Sequence, residues 1–516
     1  MLQLQLIRHR PLMTRQIKYN VVITIYPGLP NSLGVGSASH VRYLIVRYGN
    51  LQVLQNQTNM IEAAGQRPEP TCISSLPPEL LAAIFEMALS KRRIQYKLPF
   101  EVVLSHVSSF WRAVAITTPA LWTRIDIYSS RSECAAKYLQ RSGSMLLDIR
   151  VDIYNADKRL LIRSTHKRDA LIQSIVKTLF PHIHRARSLL VLSSFELTAL
   201  KLLSHLYNSI APHLRRLRMN IGHPDTIGPR TAGFKAFGKG LPQLTFLETD
   251  LPDCVPLSLQ NLTTLHLHTL TNTLNLSYQS FLAMITAPPS LRNLSIQGSL
   301  NVSLWPFHTP VNGQGFSMNN LEALRLPDDS MFSVKILLTL SAPNLVSLWL
   351  GSSFDNYGLF FPSSPNKFPA LKYLTIPSYD FSYNTHFPRA FPSVTHLYLP
   401  YVNVHYRGDT RFKFTFTSNW KQLDTLATGL IRQTQTQKFH ADLCHFLPLR
   451  RDAGYPIRQL LVDDDLCRML KKGLPDASQY VKVDVLSLET YQEPWWIMSH
   501  ERHMDHPWYR YICFTQ

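Results

Sequence analysis

The chain repeats one short pattern of apolar and polar positions over most of its length. The pattern is L-x-x-L-x-L, whose alternating apolar residues are typical of a strand with one buried face. It occurs at 214–219, 262–267, 291–296, 321–326, 345–350, 371–376, 394–399 and 457–462, with imperfect copies at 244–249 and 420–425. From residue 291 the starts are 30, 24, 26, 23 and 26 residues apart. This interval suits one strand and one return segment, so the sequence predicts an irregular α/β solenoid with a parallel sheet over 130–490.

Proline strengthens this prediction because it stands two residues before six of the copies, at Pro212, Pro242, Pro289, Pro343, Pro369 and Pro392. A proline there ends the preceding segment and favours extended backbone beside it. Helical apolar spacing fills the return segments 170–180, 197–210, 279–285 and 333–340. The pattern resembles the leucine-rich repeat. The asparagine that follows the strand in typical repeats is missing, with Ser299 after Ile296 for example, so we expect uneven coils without an asparagine ladder.

A different pattern lies between residues 71 and 127. Pro77 and Pro78 suit a first helical turn, and Glu79 suits its positive end. Apolar residues at 80, 81, 84, 85 and 88 then form one helical face. A basic connector at 91–93 precedes a second helix starting near Pro99. Ser108 or Ser109 can cap a third helix that ends at 118–119. The sequence therefore predicts a short all-α domain here.

These residues resemble the F-box, a small helical domain. Segments 76–85 and 104–112 read LPPELLAAIF and LSHVSSFWR, and TPALW at 118–122 is similar to the version common in mushroom-forming fungi. The resemblance spans residues 72–126 of the 516, with a longer and more basic connector than the family pattern. It implies docking of a Skp-type adaptor, and through it of a cullin-RING ligase. The residues implied are Leu76, Pro77, Leu80, Ile84, Leu104, Val107 and Trp111.

The polar positions of the repeat predict a second surface. By strand alternation they face away from the leucines and form an exposed ladder on the concave side, basic at first, then aromatic, then acidic at 463–465. Arginine and large aromatic residues anchor protein interfaces, and arginine can bind carboxylates or phosphates. The candidate substrate-binding residues are Arg216, Arg218, His266, His268, Arg325, Trp349, Tyr373 and Tyr398. The alternative is a solvated face whose aromatic residues are shielded by a loop or by the C-terminal tail.

Composition limits the partners and the compartment. The formal net charge is +19, which attracts acidic surfaces, phosphorylated proteins or nucleic acid. The charge is diffuse, without a lysine-rich run, so nucleic acid is the less favoured partner. Six cysteines without a CxxC pair predict reduced thiols and neither zinc nor disulfides. No apolar run is long enough for a bilayer, so we expect no membrane and a cytoplasmic or nuclear location.

No enzyme motif is present, so the sequence predicts no catalytic residue, no cofactor and no metal. A phosphate loop, GxGxxG, HExxH and GxSxG are all missing. His500, His503 and His506 recur every third residue, which does not place all three on one helix face. His266 and His268 would share a strand face, but no third zinc ligand is evident.

The sequence thus predicts a non-catalytic substrate-recognition subunit of an SCF-type ubiquitin ligase, with an F-box at 71–127 and an unidentified protein as its target. The alternatives are an F-box scaffold outside a ligase and a nucleic-acid-binding solenoid. Residues 1–70 carry no acid before Glu62 and are predicted as a disordered tail, with a mitochondrial presequence as the alternative. Strand-like segments lie within them at 21–26 and 41–48. Residues 491–516 are predicted as a C-terminal tail or cap.

Overall fold

The computed structural model describes residues 2–8, 19–25, 43–47, 76–90, 99–128, 132–153, 165–223, 237–238, 240–250, 259–267, 278–297, 315–326, 330–351, 366–376, 387–402, 420–431, 433–462, 467–468 and 480–486. The chain divides into two units. One comprises Met1–Thr123 with Gln140–Gly143, and the other comprises Arg124–Leu139 with Ser144–Gln516. Among the described residues, no helix has the length and apolar character needed to cross a bilayer.

The first unit contains three short helices where the sequence predicts them. They are α1 (Pro78–Ser90), α2 (Phe100–Ser105) and α3 (Ser109–Thr117), followed by a 3₁₀ turn at Pro119–Trp122. Ser108 caps α3, because its hydroxyl accepts a hydrogen bond from the backbone N–H of Trp111 at 3.1 Å. Thr118 is extended and Pro119 follows it, so α3 ends there.

The core of this helical unit is aromatic. Phe85 on α1 and Trp111 on α3 pack with ring centroids 5.0 Å apart. Trp122 is buried, and its indole Nε1 donates a hydrogen bond to the carbonyl oxygen of Ala115 at 2.7 Å. Leu81 on α1 and Leu104 on α2 are buried as well. Three helices of this length are thus joined by one small core.

The same unit includes a three-stranded antiparallel sheet in the order β1 (Leu2–Arg8), β2 (Tyr19–Ile25) and β3 (Tyr43–Arg47). The strand-like segments 21–26 and 41–48 correspond to β2 and β3. Both pair directly, and β1 occupies the other edge of β2. The prediction of a disordered tail for the remainder of 1–70 falls outside the described residues.

The second unit is α/β and contains an open sheet of 14 strands, all paired in parallel. The sheet follows chain order, which is the arrangement expected of a solenoid. Its strands are β4 (Arg124–Tyr128), β5 (Leu147–Asp152), β6 (Ala186–Phe195), β7 (Arg216–His223), β8 (Phe246–Thr249), β9 (Thr264–Leu267), β10 (Asn293–Ile296), β12 (Ala323–Arg325), β14 (Ser347–Trp349), β15 (Tyr373–Thr375), β16 (His396–Val402), β17 (Thr425–Ile431), β18 (Gln459–Val462) and β19 (Lys482–Val485). A separate pair joins β11 (Phe316–Ser317) to β13 (Leu340–Ser341).

Helices fill many of the return segments. They are α4 (Ser132–Arg141), α5 (Thr165–Leu179), α6 (Glu196–Ser204), α7 (Tyr278–Thr286), α8 (Ser330–Thr339), α9 (Phe387–Ala390) and α10 (Gln433–Asp452), with a 3₁₀ segment at Phe180–Arg185. Four of them, α5 to α8, overlap the segments predicted from helical spacing. The longest described helix, α10, was not predicted because its apolar residues do not keep a steady helical period.

The leucines of the repeat stack in one buried column. Neighbouring strands are in register through Leu217, Leu247, Leu265, Leu294, Leu324, Leu348, Leu374, Leu397, Leu426 and Leu460. Each of these side chains is buried. The predicted inner column is therefore confirmed, and it forms the continuous core of the second unit.

Nine of the described strands, β7 to β10, β12 and β14 to β17, follow the same turn, which explains the prolines. The backbone N–H of Leu244 bonds to the carbonyl of Leu241, and that of Leu371 bonds to the carbonyl of Phe368. Pro242 and Pro369 therefore occupy the second position of the turn, where proline is favoured and its missing N–H is not needed.

A second regularity joins the coils just after this turn. Within the described coils, nine backbone carbonyls each accept two N–H groups from the next coil; Glu322, for example, accepts from Val346 at 2.8 Å and from Ser347 at 3.0 Å. The nine belong to Arg215, Thr245, Thr263, Arg292, Glu322, Val346, Lys372, Thr395 and Asp424. This shared-carbonyl ladder sets the register of each strand on its neighbour.

Asparagine side chains also join coils. They stand at a different repeat position from the asparagine ladder of typical leucine-rich repeats, which this sequence lacks. Asn320 donates to the carbonyl of Pro289 at 2.9 Å, and Asn344 donates to the carbonyl of Asn319 at 2.8 Å. Both asparagines lie in the turn before the strand, whereas the asparagine of typical repeats follows the strand. Asparagine therefore stabilises the stacking of these coils.

Two details of the predicted register need correction. The copy at 420–425 begins at Leu423, because Trp420 occupies the preceding turn and its indole Nε1 donates to the carbonyl of Phe391 at 2.8 Å. The sheet also begins at Arg124, inside the segment assigned to the all-α domain, since Ile125 and Ile127 alternate as buried strand residues. Strands β4 to β6 and β19 were missed because none of them carries the L-x-x-L-x-L pattern.

Candidate functional site

The first helix of the helical unit carries an apolar stripe on its outer face. Leu80 is 51% exposed and Met87 is 36% exposed, while Ala83 is exposed and Ile84 is half-buried. Positions 80, 83, 84 and 87 lie on one side of a helix, so these side chains are neighbours. We refer to these four residues as the α1 stripe.

The residues implied as adaptor contacts fall into two groups. Pro77 and Leu80 are exposed, and Leu76, Ile84 and Val107 are half-buried. Leu104 and Trp111 are buried in the core, so they support the helices. The sequence treated 80, 81, 84, 85 and 88 as one face. The helix instead turns Leu81 and Phe85 inward and leaves Leu80 outward. Exposed Ala83 and Met87 were missed, although their spacing from Leu80 was a signal.

The polar face of the sheet is ordered by strand pairing into two parallel columns. Column one contains Arg124, Asp148, Ser188, Arg216, Phe246, Thr264, Asn293, Ala323, Ser347, Tyr373, His396, Thr425, Gln459 and Lys482. Column two contains Asp126, Arg150, Leu190, Arg218, Glu248, His266, Ser295, Arg325, Trp349, Thr375, Tyr398, Ala427, Leu461 and Asp484. The predicted ladder residues within the described strands therefore share one face.

Arg218 is held by a carboxylate that was not predicted from the sequence. Its Nε donates to Glu248 Oε2 at 2.7 Å and its Nη2 donates to Oε1 at 3.1 Å. Glu248 is fully buried, and the two residues are register partners on β7 and β8. The imperfect copy at 244–249 carries Glu248 at the same repeat position as Arg218, so this pair could have been predicted from that register. Arg218 is thus charge-compensated.

Arg216 differs from Arg218 although both lie on β7. Its side chain is exposed, and no ion pair joins it to another described residue. Its register partners are Ser188 and Phe246, both half-buried. Of the two arginines predicted at the basic end of the ladder, Arg218 therefore forms an ion pair, and Arg216 has none among the described residues.

Side chains in the middle of the polar face are more buried than the sequence predicts. His266 is 1% exposed, and its ring lies 5.1 Å from that of Phe246. Trp349 is 8% exposed, with the guanidinium carbon of Arg325 lying 3.4 Å from its ring centroid. Neighbouring strands bring these large side chains together, so they shield one another. His266 and Trp349 do not have the exposure expected of the ladder.

The later strands carry half-buried aromatic residues. Tyr373 packs on His396 with ring centroids 4.6 Å apart, and Tyr398 lies on the next strand. Burial lowers the pKa of His396, while nearby Asp424 raises it and Lys372 lowers it by smaller amounts. The structure therefore favours the neutral imidazole, which suits close packing against a ring. The sequence analysis did not select His396.

Several predicted residues lie outside the described part of the chain. These are His268, the acidic run 463–465, and the histidines 500, 503 and 506. Among the described residues, no group of three histidine, cysteine, aspartate or glutamate side chains could hold a metal ion. The described geometry offers surfaces for non-covalent binding: an apolar stripe on a helix and a polar, aromatic-containing sheet face.

A scan against protein-family models matched no family, and a search of curated proteins found no similar protein.

Proposed function

We propose that this protein is the substrate-recognition subunit of an SCF-type ubiquitin ligase, in which the helical unit binds a Skp-type adaptor and the sheet binds the target protein. The motif resemblance at 76–85 and 104–112 supports the helical unit as an F-box. The α1 stripe is the observation that carries the proposal. Exposed leucine and methionine two turns apart on one side of the helix form a surface suited to another protein.

The proposed contribution to ubiquitination is proximity. A target held by the sheet is kept near a conjugating enzyme that the cullin recruits, which raises the effective concentration of the target lysine. No bond is made or broken by this chain in such a role. Arg325, Tyr373 and Tyr398 supply the residue types that anchor protein interfaces.

A double variant in the α1 stripe tests the adaptor contact. Leu80→Glu with Met87→Glu places two charges where apolar burial is required, while the core residues Leu81, Phe85 and Trp111 stay unchanged. We expect the Kd for a purified fungal Skp-type adaptor, measured by biolayer interferometry, to rise at least tenfold. Far-UV circular dichroism should be unchanged, because both replaced side chains are exposed.

Ile116→Glu is the matched control, because Ile116 on α3 is 37% exposed and lies outside the stripe. We expect this variant to keep wild-type adaptor affinity. Wild-type affinity in the folded double variant would refute docking through α1. Adaptor binding without cullin association would instead favour a scaffold outside a ligase.

A further inference from the structure

The first strands of the polar face balance their charges with one exception. Strands β5, β6 and β7 carry four arginines: Arg150, Arg187, Arg216 and Arg218. Arg150 Nη2 lies 3.2 Å from Asp152 Oδ2, Arg187 pairs with Asp148, and Arg218 is held by Glu248. Arg216 is exposed, and within the described residues no carboxylate accompanies it. Among the described residues, three of the four arginines on these strands therefore have a carboxylate partner, and Arg216 does not.

Two half-buried apolar residues lie beside Arg216. Phe246 is its register partner on β8, and Leu190 lies on β6 opposite Arg218. Strand spacing places the Cα atoms of Phe246 and Leu190 about 5 and about 8 Å from that of Arg216. Because side chains two residues apart in an extended chain are separated by about 7 Å, one short segment can reach all three.

We propose that Arg216, Phe246 and Leu190 bind an extended acidic segment of the target protein, with a carboxylate on Arg216 and apolar side chains two residues away on either side. This inference rests on the proposed function, since it names the chemistry of the segment that the sheet selects. A carboxylate on an exposed arginine is a charge-assisted hydrogen-bonded contact, and the apolar neighbours exclude water from it.

The same charge arrangement argues against nucleic acid at this surface. Nucleic-acid binding gains its affinity by neutralising several phosphates with several basic side chains. Here Asp148, Asp152 and Glu248 already neutralise three of the four arginines. On strands β5 to β7 one open guanidinium is left among the described residues, and it suits a single carboxylate better than a phosphate backbone.

Fluorescence anisotropy with two labelled peptides tests the proposal on the full-length protein. The first peptide has the core Leu-Ser-Glu-Ser-Leu between Gly-Ser flanks, and the second has glutamine in place of the glutamate. We expect the wild-type protein to bind the glutamate peptide at least tenfold more tightly. Arg216→Gln should abolish this preference without altering circular dichroism, because no described side chain depends on Arg216.

Arg215→Gln is the matched control. Arg215 immediately precedes β7, is exposed, and belongs to neither column, so this variant removes the same charge one position away. We expect it to keep the preference for glutamate. Equal binding of both peptides by the wild type, no binding of either, or equal losses in the two variants would overturn the proposal.

Adaptor binding separates this inference from the proposed function. Arg216→Gln should bind the Skp-type adaptor with wild-type affinity, because the change lies in the sheet. Failure of the wild-type protein to bind the adaptor would refute the ligase role and leave the peptide preference as an independent result.

Discussion

In the helical unit Leu80 and Met87 remain exposed, whereas in the sheet the leucines of the inner column are buried from β7 to β18. The contrast follows from size and stacking. Three short helices have little interior, and an inward face on α1 leaves another face in water. A stacked coil covers the apolar side of its neighbour, so the array buries its leucines along its length.

The two regions consequently offer different surfaces. On α1 the exposed stripe is apolar and follows helical spacing, so it suits a partner that contributes apolar surface. On the sheet the exposed side is polar, and most of its charges in the first strands are already paired. In the proposed role, selectivity there depends on the few groups left open, such as Arg216.

The largest expected effect comes from replacing one leucine by alanine in each of the two regions. Leu348→Ala removes a buried side chain from the inner column and should lower the free energy of unfolding by about 2–5 kcal/mol. Leu80→Ala should change it by less than about 0.5 kcal/mol, because Leu80 is exposed. Urea unfolding followed by far-UV circular dichroism measures both. Equal losses would show that Leu80 is part of a core and would remove the basis of the α1 stripe.

The second comparison uses the two arginines of β7. Arg218→Met leaves the buried carboxylate of Glu248 without its bidentate partner and should lower the free energy of unfolding by about 3 kcal/mol. Arg216→Met makes the same side-chain change at an exposed, uncompensated position and should be within about 0.5 kcal/mol of wild type. The same urea titration distinguishes them. A loss at Arg216 as large as that at Arg218 would mean that Arg216 has a structural role.

The smallest effect concerns pH. Burial lowers the folded-state pKa of His396 below its ordinary value of 6.5, so protonation favours the unfolded chain. The contribution of His396 to stability is complete above pH 6.5 and is lost as the pH falls through its folded-state pKa. His396→Phe should therefore weaken the acid dependence of the unfolding midpoint between pH 7 and pH 5. His213→Gln, at an exposed turn, is the control and should leave that dependence unchanged.

Most of the sheet could be predicted from the sequence. A strand with one buried face places apolar residues at every second position, and leucine marks these positions in most of the strands. Strands such as β10, β14 and β15 were found in the correct register on that basis. The prediction failed where another residue replaced leucine in the repeat: Trp420 shifted one copy by three positions, and β4 to β6 bury isoleucine, valine or alanine at repeat positions.

The candidate site was predicted less completely, because a local pattern fixes which face a side chain occupies but not which side chains meet across strands. Arg218 was placed correctly on the polar face, but its partner Glu248 is 30 residues away. Likewise, helical spacing could not separate inward Leu81 from outward Leu80, since adjacent apolar residues both fit a broad face.

The shared-carbonyl ladder has a consequence for how this chain can change. The contact from Thr245 to Thr263 spans 18 residues, whereas the one from Arg292 to Glu322 spans 30, yet the same acceptor geometry recurs in both. We therefore expect insertions and deletions between strands to be tolerated as long as the short turn and the residue after it are kept. The segments between one strand and the next turn can then differ in length without a change in the register of the strands.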